Sequence, residues 1–151
     1  MVAAPVEAKG VRYAVIKSAY VRDPVYADPA LRPASDIDIL IAPELRLAAV
    51  DAKKTPGFNL VVNPEVASHE ACLIWNGVDI DLHGDILRPG CTPVATIDIF
   101  LAYLCRHEGV WGLNDANAIF IILFHAVSSL PSGGCLARAD IHLAHALLSW
   151  W

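Results

Sequence analysis

The chain has 151 residues, a formal net charge of −5, 56% hydrophobic residues and a mean hydropathy of +0.47. That length points to one domain with a real core. The acidic balance argues against an extended nucleic-acid footprint, and four widely spaced cysteines with no C-x-x-C pair argue against a zinc site or a disulfide framework.

No apolar run reaches the roughly 20 residues of a membrane-spanning helix. The longest, Ala116 to Leu130, is interrupted by Asn117 and His125. The excess apolar content therefore points to self-association, a homodimer being the simplest form, or to a protein partner rather than to lipid. The start of the chain lacks the basic, apolar and small-residue pattern of a secretory signal, so a cytoplasmic location is expected.

Taken in order, Met1 to Gly10 reads as a loose lead-in, and Val11 to Ile16 as a short strand or a helix start. From Val21 to Pro33 the prolines at positions 24, 29 and 33 indicate turn and loop. A strand follows, running to about Ile41. Pro43 to Lys54 has a helix's first-turn proline and acid, and lysines at its end. Phe58 to Val62 and His69 to Trp75 read as strands. Asn76-Gly77 is a strong hairpin signal that returns the chain into a strand over Val78 to Leu82. From Thr96 onward the pattern turns helical. Thr96 is placed to cap a helix with Ile97, Phe100, Leu101 and Leu104 on one face. Asn114 or Asp115 is placed to cap a second over Ala116 to Ser128, and a third is expected over Ala137 to Trp151. The division is an α/β core over residues 1–92 and a C-terminal helical segment over 93–151, packed as one unit.

Two acids interrupt the strand Asp36-Ile37-Asp38-Ile39-Leu40-Ile41. Alternate residues of a strand share a face, so Asp36 and Asp38 point one way while Ile37 and Ile39 enter the opposite layer. Neighbouring carboxylates repel. A solvated strand end would tolerate the pair, and a divalent cation with oxygen ligands, Mg²⁺ above all, would make it favourable. In Val78-Asp79-Ile80-Asp81-Leu82-His83, residues Asp79, Asp81 and His83 also share a face. If the two strands are neighbours, a third carboxylate joins the first two. Three carboxylates suffice for the two-ion arrangement used in phosphoryl and nucleotidyl displacement.

Lys17-Ser18, the segment Tyr26 to Ile41 with its Arg32-Pro33-Ala34-Ser35-Asp36-Ile37-Asp38, and Val78-Asp79-Ile80-Asp81-Leu82-His83 together resemble a nucleotidyltransferase family of the polymerase-β-like superfamily. The likeness covers about Val15 to Ile86, with a weaker echo over Leu101 to His107. It implies an α+β fold: a small mixed β-sheet of the nucleotidyltransferase type with flanking helices and a C-terminal helical segment. It implies transfer of a nucleoside monophosphate, with pyrophosphate release, from an NTP (ATP is the expected one) to a hydroxyl or phosphate of a small-molecule or peptide acceptor. Asp36, Asp38 and Asp81 would bind Mg²⁺ or Mn²⁺ and carry the catalysis. Asp81 matches the family's third carboxylate better than Asp79. Lys17 and Ser18 would mark the turn near the triphosphate. From their own chemistry, Arg32 either clamps a phosphate or pairs with Asp28 at the surface, and His83 is placed to face the nucleotide.

The chain departs from the family in places. Ser18 stands where members carry glycine, Ala27 follows Tyr26 in place of proline, and Gly84 follows His83 in place of tryptophan. Two other readings compete: a non-catalytic relative that binds nucleotide or a protein partner, and a two-metal hydrolase. His69 lies on a strand candidate next to that of His83 and either faces the site or is a hydrogen-bonded structural histidine, whereas His107, His125, His142 and His145 form no two-histidine, one-acid pattern and read as structural.

Overall fold

The β-branched and aromatic runs assemble into a single sheet. The computed structural model describes residues 12–31, 34–42, 58–62, 70–86, 96–107 and 109–128. The strands are β1 (Tyr13–Ile16), β2 (Asp36–Ile41), β3 (Phe58–Val62), β4 (Glu70–Trp75), β5 (Val78–His83), β6 (Leu104–His107) and β7 (Val110–Leu113). The helices are α1 (Lys17–Val25), α2 (Ile97–Leu101) and α3 (Asp115–Ser128), with a 3-10 turn at Pro29–Leu31. The 7-stranded sheet has the order β3-β4-β5-β2-β1-β7-β6, so β2 is its central strand. β2 pairs antiparallel with β1 and parallel with β5, and β1 pairs parallel with β7. This is the mixed sheet with flanking helices that the resemblance implies.

Alternation along the central strands sorts the core into two layers. Ala14, Ile16 and Leu40 pack with Ile97, Phe100 and Leu101 of α2 and Ile121 of α3. Tyr13, Ile39, Ile41, Ala71, Leu73, Ile80 and Leu82 form the opposite layer. Asp38 and His83 belong by register to the face of Leu40, so the polar site and the helix-covered core share one side of the sheet. Val21 of α1 packs against Ala118 and Ile122 of α3, with Tyr20 and Tyr26 at the margin. None of the helices is long and apolar enough to cross a membrane among the described residues.

Several local signals act as their chemistry requires. Asn76 and Gly77 take φ values of 50° and 82°, the doubly positive pair of the tight turn that joins β4 to β5. Asn114 caps α3 by accepting the Asn117 N–H at 2.9 Å. Thr96 makes no side-chain cap to α2. Its hydroxyl instead donates to Asp85 Oδ1, and its N–H reaches Asp85 Oδ2 at 3.3 Å, tying the end of β5 to the start of α2.

Two expectations are corrected. Residues 21–25, read as turn and loop, complete α1. Pro24 lies one residue before the helix ends at Val25, and a proline there removes only one late N–H from a short helix. Leu104–His107 and Val110–Leu113, read within the helical part, pair antiparallel as β6 and β7, with Leu104 opposite Leu113 and His107 opposite Val110. The sheet therefore takes strands from both sides of residue 92. Gly109, just before β7, takes φ 84°. The helices expected over Pro43 to Lys54 and Ala137 to Trp151 lie outside the described residues, as do His69, His142 and His145.

Candidate active site

Parallel pairing of β2 with β5 brings the acids together. Asp36 is in register with Asp79, Asp38 with Asp81, and Leu40 with His83. One carboxylate oxygen from each of Asp36, Asp38 and Asp81 falls within 4.8 Å of the others. Asp36 and Asp38 lie in the first half of β2, beside Asp81 in the second half of β5 and the end of β1, since Ile16 is in register with Asp38. Lys17, the first residue of α1, follows at once.

A gradient of burial runs along β2. Asp36 is half-buried, whereas Asp38 is only 5% exposed. A buried carboxylate needs partners, and two converge on Asp38 Oδ1. The Lys17 ammonium donates to it at 2.6 Å and His83 Nε2 at 2.7 Å. Burial pushes the Asp38 carboxyl up, but the His83 hydrogen bond together with the charge and hydrogen bond of Lys17 outweighs it, and the carboxyl is held below its ordinary range. Ser35 donates its hydroxyl to Asp36 at 3.1 Å.

Lys17 reaches Asp38 from an unusual backbone. Its φ is 55°, in the left-handed region that a side chain with a Cβ disfavours. Such a residue costs of order 1–3 kcal/mol, which the surrounding structure must offset. Ile16, extended on β1, supplies no side-chain cap to α1. The helix thus starts beside the three carboxylates, and helix N-terminal N–H groups suit phosphate oxygens.

The structure places the sequence-predicted residues unequally. Asp36, Asp38 and Asp81 converge, and Lys17 joins them through Asp38. Asp79 shares their face but is exposed and stands outside the group of three. His83, expected to meet nucleotide, is buried against Asp38. Ser18 lies in the first turn of α1. Arg32 lies outside the described residues. The Lys17–Asp38 and His83–Asp38 contacts join residues 21 and 45 positions apart, and no local pattern announces either.

Residues 2–144 match the sequence profile of the family described as "Uncharacterised nucleotidyltransferase". The chain belongs to this nucleotidyltransferase family. Among solved structures, it is similar to ANT(2")-Ia in complex with adenylyl-2"-tobramycin, with a TM-score of 0.63 and 12% identity over 98% of this chain and 84% of that one. At that identity the likeness is one of fold, and the fold is that of a nucleotidyltransferase. No curated protein matches the chain.

Proposed function

We propose that this nucleotidyltransferase-family protein is a Mg²⁺- or Mn²⁺-dependent enzyme. It transfers a nucleoside monophosphate from an NTP to a hydroxyl or phosphate of a small-molecule or peptide acceptor. The observation that carries this reading is the convergence of Asp36, Asp38 and Asp81 beside the end of β1, where α1 begins. The donor set fits a hard divalent cation: it offers carboxylate oxygens only, one from each residue, all within 4.8 Å. When bound, the cation supplies charge neutralisation at the phosphates and lowers the pKa of an attacking hydroxyl.

The chain's own residues do the rest. Asp36, Asp38 and Asp81 hold the cation. The Lys17 ammonium and the first-turn N–H groups of α1 bind triphosphate oxygens. His83 fixes the orientation of Asp38 from the buried side. An acceptor oxygen attacks the α-phosphorus, the bond from that phosphorus to the α–β bridging oxygen breaks, and pyrophosphate leaves with the bonding electrons. The acceptor proton passes to Asp81, which like Asp36 is half-buried and which carries neither the Lys17 nor the His83 contact of Asp38. ATP is the favoured donor, in keeping with the adenylylated compound held by the structurally similar ANT(2")-Ia. The cytoplasm is the expected setting.

The test has two parts. Calorimetry measures binding of each NTP with Mg²⁺ to the wild type and to the Asp36→Ala/Asp38→Ala double variant. Pyrophosphate release is then followed over a panel of hydroxyl and phosphate acceptors. Metal-dependent binding that the double variant loses, with pyrophosphate release, supports the proposal. Binding without release from any acceptor would indicate a nucleotide-binding relative without catalysis. No binding of any NTP by a folded protein would overturn the reading.

A further inference from the structure

Asp38 carries two unlike partners on the same oxygen. His83 is short, sits on β5, which is paired on both sides by β2 and β4, and has a side chain only 9% exposed. Lys17 has a side chain 21% exposed, on a flexible stem at a strand-to-helix junction. His83 is the fixed half of this arrangement and Lys17 the movable half. The Lys17 ammonium also lies where it neutralises one member of a group of three carboxylates that would otherwise repel one another.

We propose that Lys17 is the resident counter-ion of Asp38 in the free protein, and that a divalent cation must displace its ammonium before the three aspartates can act as ligands. The inference rests on the metal-site reading of Asp36, Asp38 and Asp81 and adds a competitor built into the chain. An ammonium at 2.6 Å from a ligand oxygen occupies the space and satisfies the charge that an incoming cation needs. Once displaced, it remains beside the start of α1, where triphosphate oxygens are its natural new partner. Cation and nucleotide binding are thereby linked: the nucleotide stabilises the displaced lysine, and the displaced lysine frees the carboxylate. The Lys17 side chain, on a left-handed backbone at the end of β1, reaches Asp38 on the neighbouring strand β2.

The test is Mn²⁺ binding without nucleotide, read from the paramagnetic resonance signal of free Mn²⁺, with melting temperature as a second readout. Wild type, Lys17→Met, Lys17→Arg and Asp36→Asn are compared. Lys17→Met should bind Mn²⁺ about tenfold more tightly than wild type, since an adjacent unlike charge shifts a carboxylate's affinity for a competing cation by at least that factor. Its metal-free melting temperature should fall, and Mn²⁺ should raise it by more than it raises the wild type's. Lys17→Arg, which keeps the charge, should keep the weaker affinity. If Lys17→Met does not fold, Lys17→Gln carries the same expectation. Unchanged or weaker Mn²⁺ binding on removal of the charge, with binding still lost in Asp36→Asn, would overturn the role of Lys17 and leave the metal site standing. Absence of Mn²⁺ binding in every protein would overturn both.

Discussion

Asp38 on β2 stands opposite Asp81 on β5, in register across a parallel strand pair. Two carboxylates so placed on neighbouring strands repel unless a cation lies between them. Exposed Asp79, two residues earlier, faces Asp36 in the same ladder yet stays outside the converging group.

This contrast separates a ligand from a bystander. Asp38→Asn and Asp81→Asn should each lower Mg²⁺-dependent pyrophosphate release by more than the roughly 10- to 100-fold that losing an outer-shell partner costs. Asp79→Asn should stay within about threefold of wild type, below that outer-shell range. Equal losses at Asp79 and Asp81 would show that the register does not select the ligand.

The lowered carboxyl of Asp38 makes a prediction about acid stability. A group whose folded pKa lies below its unfolded value binds fewer protons when folded. It contributes stability above the ordinary value of 3.8, and that contribution is lost as pH falls through the lowered folded value. The stability difference between wild type and Asp38→Asn, measured by urea unfolding without metal, should therefore be constant near neutrality and shrink as pH drops below the ordinary carboxylate range. A difference that grows on acidification would contradict the assignment.

A second close contact lies away from the acids. A Cβ built at Gly112 on β7 would overlap Cε2 and Cζ of the Tyr20 ring on α1. The ring leaves no room for a methyl group unless it moves. Gly112→Ala should cost about 1–3 kcal/mol, the usual range for overpacking. In a Tyr20→Leu background the same substitution should cost less, with a coupling of order 1 kcal/mol in the double-mutant cycle. Additive effects would mean that the ring is not what requires glycine there.

The cap of α3 offers a smaller effect with a clean control. Asn114→Ala removes the acceptor of the Asn117 N–H and should destabilise the protein by about 1 kcal/mol in chemical unfolding. Asn114→Asp keeps an acceptor and should remain near wild type. Equal losses in both variants would show that the side-chain oxygen is not the stabilising feature.

What the sequence by itself determined was local. Alternation put Asp36 with Asp38, and Asp79 with Asp81 and His83, on common faces, because a strand's side-chain period follows from its backbone geometry. Asn76-Gly77 determined its turn, and Asn114-Asp115 marked a helix start for which the structure selects Asn114 as the cap, because positive φ and capping depend on single residues. The helix through Pro24 and the antiparallel pair β6 and β7 escaped the same reading. A proline near a helix end costs one bond that packing offsets, and a short apolar run has no period of its own to distinguish strand from helix. Only the tertiary structure decided that β5 lies beside β2, that Lys17 and His83 meet on one oxygen of Asp38, and that Tyr20 closes on Gly112. Each of these joins residues far apart in the chain, and their meeting is set by how the whole sheet pairs and which layers it buries, not by any neighbour in sequence.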